Sequence, residues 1–266
     1  MNDLNLQFRS RIGFPPNIEI SFENLDFVLE KTAKAIPFEN LCILGNRIST
    51  ISKETLMNKI IHQKEGGLCY ELNTIFHLFL LENGFKTSLI RGMTYDHNGH
   101  QWNPIGKTHV TIIMNDHEQP YIVDTGFGGN LPLKPVPLSG GIVVSNNGEF
   151  RIECVDRESG DYIFYMKLRH KHKDWKIGYT FNVKDDIQNV SDLNAIQTII
   201  VEHPKSPFNK NPLLTMLTDD GNMILTENSF TEWVNGKVEK KEIDQNQFNE
   251  LAKEHFGIQE YKEQDE

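Results

Sequence analysis

The stretch GGLCYELNTIFHLFLLENGF, residues 66–85, marks where the chain changes character. Leu68, Leu72, Ile75, Phe76, Phe79 and Leu80 recur at helical spacing, and Asn83-Gly84 supplies a stop. The spacing therefore predicts a helix opening at about Leu68. Gly66 and Gly67 let the backbone turn sharply just before it. Cys69 falls in the first turn, where unpaired backbone N–H groups and the helix dipole favour a thiolate. Taken alone, it still reads as a packing residue, because free cysteine is among the most buried residue types.

Upstream, the pattern is helical. SFENLDFVLEKTAKAIPFENL (21–41) carries Leu25, Val28, Leu29, Thr32, Ala33 and Ile36 at helical spacing, with Ser21 as a cap and Pro37 as the end. ISKETLMNKIIHQ (51–63) repeats the pattern. After Gly84 the period shortens. KTSLIRGM, THVTIIM, QPYIVDTGF, EFRIECV, DYIFYMKL and WKIGYTFNV are short runs rich in β-branched and aromatic residues, and they predict a barrel or strongly curved sheet. Beyond about 190 come a helix in SDLNAIQTIIVEH, a loop in HPKSPFNKNP, short strands, a helix in QNQFNELAKEHFG and a frayed tail, YKEQDE. The changes of period place boundaries near 85 and 188, within an α+β chain.

Bulk properties exclude several classes. With 266 residues, 38% of them hydrophobic, the chain can bury a sizeable core. A net charge of -10 lacks the electrostatic footprint of a nucleic-acid binder. No run approaches the roughly 20 apolar residues of a membrane span, and the N-terminus lacks the form of a secretory signal. Three scattered cysteines fit neither a disulfide framework nor zinc spacing. A cytoplasmic protein without nucleic-acid or membrane partners is expected.

Partners for Cys69 come from THVTIIMNDHEQPYIVDTGFG (108–128), which reads as a hairpin. A turn centred between Asp116 and His117 would set His109 directly across from Asp124 on one face of the sheet. A carboxylate so placed holds the imidazole and stabilises its charged form. A helix-start cysteine with a paired His and Asp predicts a Cys-His-Asp nucleophilic site.

These motifs resemble those of the arylamine N-acetyltransferases. RIGF (11–14), IPFENL (36–41), GGLCYELN (66–73), THV (108–110), YIVDTGFG (121–128) and VEHPKSPFNKNPLL (201–214) occur in that family's order. The resemblance implies a helical bundle over 1–85, a β-barrel over 86–188 and an α/β lid over 189–266, around a cysteine-protease-like core. Cys69, His109 and Asp124 would be catalytic. Ping-pong transfer would carry acetyl from acetyl-CoA through Cys69 to an arylamine, hydrazine or arylhydrazine nitrogen. It also implies substrate contacts from Phe38, Thr108 and Phe127, and pantetheine contacts at Gly126 and Gly128. Acetyl-CoA would be a co-substrate, with no permanently bound cofactor, and xenobiotic metabolism would be the setting.

One position departs from the family. Where an arginine usually precedes the two glycines, this chain has Glu65, opposite acidic neighbours such as Glu39. Lys64 or another nearby cation is expected to compensate. Other motifs read as structural. DHNGH (96–100) and RHKHK (169–173) lack a metal-ligand spacing, so no metal is expected. GFGGN (126–130) lacks the Lys-Ser/Thr of a P-loop. Glu71 should point away from Cys69, Cys42 and Cys154 should be packing, and Lys205 and Lys210 are solvent-exposed by default or meet CoA phosphates. The same triad would serve a papain- or transglutaminase-like amide hydrolase or a macrocyclising relative. The fold could also persist as a binding module without activity.

Overall fold

The computed structural model describes residues 3–156 and 161–258, so the expected frayed tail at 261–266 lies outside the described residues. The chain opens with α1 (Asp3–Ile12), a helix not singled out from the sequence, which ends at Gly13 with φ +66°. A single turn at Phe22–Asn24 leads into α2 (Leu25–Ala35), and Ser21 precedes that turn rather than α2 itself. There the Ser21 N–H donates to Asn24 Oδ1 at 3.0 Å. Before Pro37 the helix stops, as a proline's exclusion of helical geometry from its predecessor requires.

Next come β1 (Phe38–Glu39), α3 (Leu41–Leu44) and α4 (Lys53–Leu56). The chain continues from α4 in a wider π-helical turn over Met57–His62, where a regular helix was expected. α5 (Cys69–Glu82) begins on Cys69, and every residue from Cys69 to Phe76 is buried. That burial makes α5 the central helix. Phe8 of α1 stacks on its Phe79 with centroids 4.5 Å apart.

The middle of the chain forms β2 (Lys86–Asp96), β3 (Gln101–Trp102), β4 (His109–Asp116), β5 (Gln119–Val123), β6 (Val136–Pro137), β7 (Val143–Ser145), β8 (Gly148–Asp156), β9 (Asp161–Leu168) and β10 (Lys176–Ile187). All pair antiparallel in the order β6-β5-β4-β2-β10-β9-β8-β7, with β3 beside β2, and β6 packs near β8 to give a nearly closed barrel. Ile90, Ile122, Phe150, Phe164 and Tyr179 fill its core. β4 is buried on both faces. Its Val110, Ile112 and Met114 join the core around α5, while Ile113 joins the barrel core.

The β4–β5 register corrects the sequence reading. Asp116 pairs with Gln119, Ile113 with Ile122 and Ile112 with Val123. The turn is therefore His117-Glu118, one residue later than expected, and Thr111 rather than His109 would continue opposite Asp124. Both turn residues have positive φ, +44° and +65°, the signature of the primed turn whose twist matches that of the strands. The shift changes the pairing sum by two. His109 and Asp124 consequently keep the same face and become diagonal neighbours.

The last third supplies α6 (Leu193–Glu202), β11 (Leu213–Leu217), β12 (Gly221–Thr226), β13 (Ser229–Val234), β14 (Lys237–Glu242) and α7 (Gln245–Phe256). The second sheet has the order β1-β11-β12-β13-β14, with Phe38 of β1 opposite Thr215. A strand from the first third thus starts the sheet of the last. No helix among the described residues is long and apolar enough to cross a membrane.

Replacing His117-Glu118 by Asn-Gly relieves two side-chain-bearing residues from positive φ. A rise in melting temperature of about 2–4 °C is expected, from about 1 kcal/mol at this chain length. Thermal unfolding followed by circular dichroism checks it.

Candidate active site

Glycine is required on both sides of the turn before α5. A Cβ at Gly66 would lie 2.0 Å from the Pro37 carbonyl oxygen, and one at Gly67 would lie 2.8 Å from Glu71 Oε2. The Gly67 N–H donates to Pro37 O at 3.2 Å, and the Glu39 N–H donates to Gly67 O at 3.0 Å. β1 therefore holds the turn in place. Glu71 reaches back to accept the Leu68 N–H at 3.0 Å, satisfying a helix-start donor, and so faces away from the sulfur as expected. Cys69 is 6% exposed, and its Sγ donates to the Thr108 carbonyl oxygen at 3.6 Å.

Thr108 immediately precedes His109 at the start of β4. His109 Nε2 lies 2.8 Å from Asp124 Oδ2, and both residues are buried. The separation is short although the two are diagonal rather than opposed. With Nε2 committed to Asp124, Nδ1 is the ring nitrogen left for the sulfur. Burial by itself lowers the imidazole pKa, but the Asp124 charge, the hydrogen bond to it and neighbouring Cys69 outweigh burial and raise it to about 10. Burial pushes the Asp124 pKa up, but the His109 charge and hydrogen bonds from His109, Asn73 and Gly126 bring it below the usual carboxylate value.

Two residues missed from the sequence complete this arrangement. Asn73 Nδ2 donates to Asp124 Oδ1 at 2.9 Å and to Val110 O at 2.8 Å, while its Oδ1 accepts the Thr125 N–H at 2.8 Å. It lies four residues after Cys69, on the same helix face, and that spacing was a readable signal. Tyr179 of β10 donates its hydroxyl to Asp124 Oδ2 at 3.1 Å and stacks on Phe164 at 4.8 Å. Only the barrel's register brings Tyr179 here. With the Gly126 N–H at 2.8 Å from Oδ1, the carboxylate receives four hydrogen bonds.

The expected pocket residues fall in different environments. Phe127 packs against His109 at 5.1 Å and Tyr179 at 5.2 Å. Phe38 is half-buried, edge-on to Phe208 at 5.6 Å. A Cβ at Gly126 would lie 2.6 Å from Cys69 Cα, so its missing side chain admits the protein's own helix. Gly128 has φ +58°, and a Cβ there would lie 3.7 Å from the Phe38 ring. Lys205 and Lys210 are exposed in the loop after α6.

Around Glu65 the expected compensation comes from nearby cations other than Lys64. Glu65 pairs with Arg47 at 2.8 Å and accepts the Cys42 thiol at 3.2 Å, whereas Glu39 faces Lys59 at 3.8 Å. The compensating cations are thus Arg47 and Lys59, not Lys64. Burial pushes the Cys42 thiol up to about 12. Cys154, expected to pack, is exposed on β8.

The N-acetyltransferase family profile matches residues 19–263. An uncharacterized acetyltransferase, YvcN, of Bacillus subtilis is 37% identical over 96% of this chain and 98% of its own. The crystal structure of arylamine N-acetyltransferase C from Bacillus anthracis superposes with a TM-score of 0.90 at 39% identity, covering 97% of this chain and 99% of that one. An arylamine N-acetyltransferase of Bacillus cereus, described as having a Cys-His-Glu catalytic triad, gives a TM-score of 0.90 at 38% identity with the same coverage. In the present chain the acid bonded to the histidine is an aspartate.

Two outcomes are expected. His109 has a raised pKa, so its pairing stabilises fully below about pH 6.5, and that stability is lost as pH rises towards about 10. The melting-temperature advantage of wild type over His109→Gln should therefore shrink steadily between pH 6.5 and 10. Glu65→Arg places a cation beside Arg47 and removes the Cys42 acceptor. It should lower the melting temperature by about 2–4 °C, since exposed pairs are worth up to about 1 kcal/mol.

Proposed function

Because the chain belongs to the arylamine N-acetyltransferase family of acyltransferase enzymes, we propose that it moves acetyl from acetyl-CoA to an arylamine, hydrazine or arylhydrazine nitrogen by a ping-pong route through Cys69. The observation that carries this reading is the placement of Cys69, at the first position of a buried helix, beside a histidine that Asp124 holds in its charged form. His109 and Asp124 complete the proposed triad. The proposal keeps a helical part over 1–85, a barrel over 86–188 and a lid over 189–266, with acetylation of foreign amines in the cytoplasm as its setting.

In the first half-reaction, the Cys69 thiolate, its proton already on His109, attacks the thioester carbonyl of acetyl-CoA. The acetyl–S bond to CoA breaks, the imidazolium of His109 gives its proton to the departing CoA thiolate, and acetyl-Cys69 remains. The amine nitrogen then attacks the acetyl carbon. Neutral His109 takes the nitrogen's proton, the bond to Sγ breaks, and the thiolate–imidazolium pair returns. Asp124 stays ionised throughout, holding Nε2 so that Nδ1 serves the sulfur. Gly128, beside Phe38, is the better candidate for approach by pantetheine, since Gly126 is filled by α5. Phe38 and Phe127 supply apolar surface for an aromatic ring, and the Thr108 carbonyl lies beside the sulfur.

Purified protein is mixed with acetyl-CoA, with and without an aminosalicylate, and free CoA is followed alongside a Cys69→Ser variant. CoA release that depends on the amine and disappears in the variant is expected. Release without amine points to a hydrolase. No release at all removes acetyl-CoA as the donor.

A further inference from the structure

Behind the start of α5, away from His109, lies a group of buried charges that the acetyl-transfer steps do not use. Lys59 sits in the π-helical turn over 57–62, a feature frequent at functional sites, and its side chain is only 13% exposed. Its Nζ lies 2.6 Å from Glu71 Oε1 and 3.8 Å from Glu39 Oε1. Each carboxylate uses its other oxygen on backbone: Glu71 Oε2 accepts the Leu68 N–H at 3.0 Å, and Glu39 Oε2 accepts the Leu41 N–H at 2.6 Å. Glu39 Oε1 has no hydrogen bond of its own, so Lys59 is what faces it.

These contacts converge on one short piece of chain. Glu71 holds Leu68, and Glu39 holds Gly67 through its own N–H. The Lys59 carbonyl also accepts the Glu65 N–H at 3.1 Å, while Arg11 donates to Ile60 O and Lys64 O, both at 3.1 Å. A single cation thereby joins β1 to the first turn of α5 across the Gly66–Leu68 turn. Burial by itself would favour the neutral amine, but Glu71 and Glu39 outweigh it and hold Lys59 protonated. Glu65 turns outward to Arg47 and leaves Lys59 as the cation between the two inner glutamates.

We propose that Lys59 is a positioning residue for the Cys69 nucleophile: by bridging Glu71 and Glu39 it fixes the Gly66–Leu68 turn, and with it the place and direction of the Cys69 side chain. The proposal rests on Cys69 being the reacting group, and it assigns Lys59 no contact with substrate. A displacement of about 1 Å in a reacting group is enough for a rate loss of up to about a hundredfold, which makes the effect measurable.

The test compares full-length wild type with Lys59→Met and Lys59→Arg, reading three quantities. These are kcat/KM for acetyl-CoA with an aminosalicylate, the rate of Cys69 alkylation by iodoacetamide, and the melting temperature. Lys59→Met is expected to lower both rates by about tenfold or more, and Lys59→Arg to recover most of each. A lower melting temperature with both rates unchanged reduces Lys59 to a structural ion pair and overturns the proposal. So does a loss in Lys59→Arg equal to that in Lys59→Met. If Lys59→Met does not fold, Glu71→Gln replaces it, keeping an acceptor for the Leu68 N–H but not the charge that Lys59 holds. Reduced rates are expected there too, and unchanged rates overturn the proposal. Iodoacetamide reads the thiol without acetyl-CoA, so failure of wild type to transfer acetyl rejects the proposed function and leaves the role of Lys59 decidable.

Discussion

The carboxylate of Asp124 is the point on which the parts of this protein meet. It is buried, and a bare carboxylate so placed would lose its hydration at a cost of several kcal/mol. Four donors offset that loss: Asn73 from α5, His109 from β4, Tyr179 from β10 and the Gly126 N–H from the turn after β5. Helix and barrel can satisfy the charge only when docked on each other. The anion stabilises the imidazolium at the site and also fixes the helix carrying Cys69 against the strand carrying His109. One set of bonds serves both stability and chemistry.

A second constraint operates at the glycines. Gly66, Gly67 and Gly126 each stand where a Cβ would fall within 3 Å of another atom, and two of the nearest atoms are the Pro37 carbonyl oxygen and Cys69 Cα. The start of α5 is therefore packed at backbone distance from β1 on one side and from the loop after Asp124 on the other. Because β1 also pairs with β11, the last third of the chain is tied to the same turn. Phe38 joins these contacts, between Gly128, Phe208 and Thr215. Such packing leaves little room for the nucleophile to drift, and orientation is what thiol chemistry at a fixed base requires.

How much of this was legible from the chain varies by residue. The switch of period after Gly84 separates helix from barrel because a core-facing helix and a half-buried strand expose their side chains with different repeats. The face shared by His109 and Asp124 was legible too, since it depends on parity alone. Their exact opposition was not, because a two-residue loop at His117-Glu118 shifts the pairing while preserving parity. Asn73 carried a signal in its spacing from Cys69. Tyr179 carried none, because its approach to Asp124 depends on the closure of β10 against β2. The cations were equally hidden: Arg47, which pairs with Glu65, lies in the irregular stretch after α3, and Lys59, which pairs with Glu71, sits where a regular helical pattern folds as a π-helical turn.

By itself, the sequence determined the change from helices to strands after Gly84, a helix opening at about Leu68 with Cys69 in its first turn, and the sidedness of His109 and Asp124. Each of these follows from local rules of side-chain periodicity, glycine geometry and helix capping. Only the tertiary structure decided the four donors of Asp124, the filling of the Gly126 gap by α5 and the cation between Glu39 and Glu71. Those depend on groups far apart in the chain that had to be brought together so that buried charges would not stand alone.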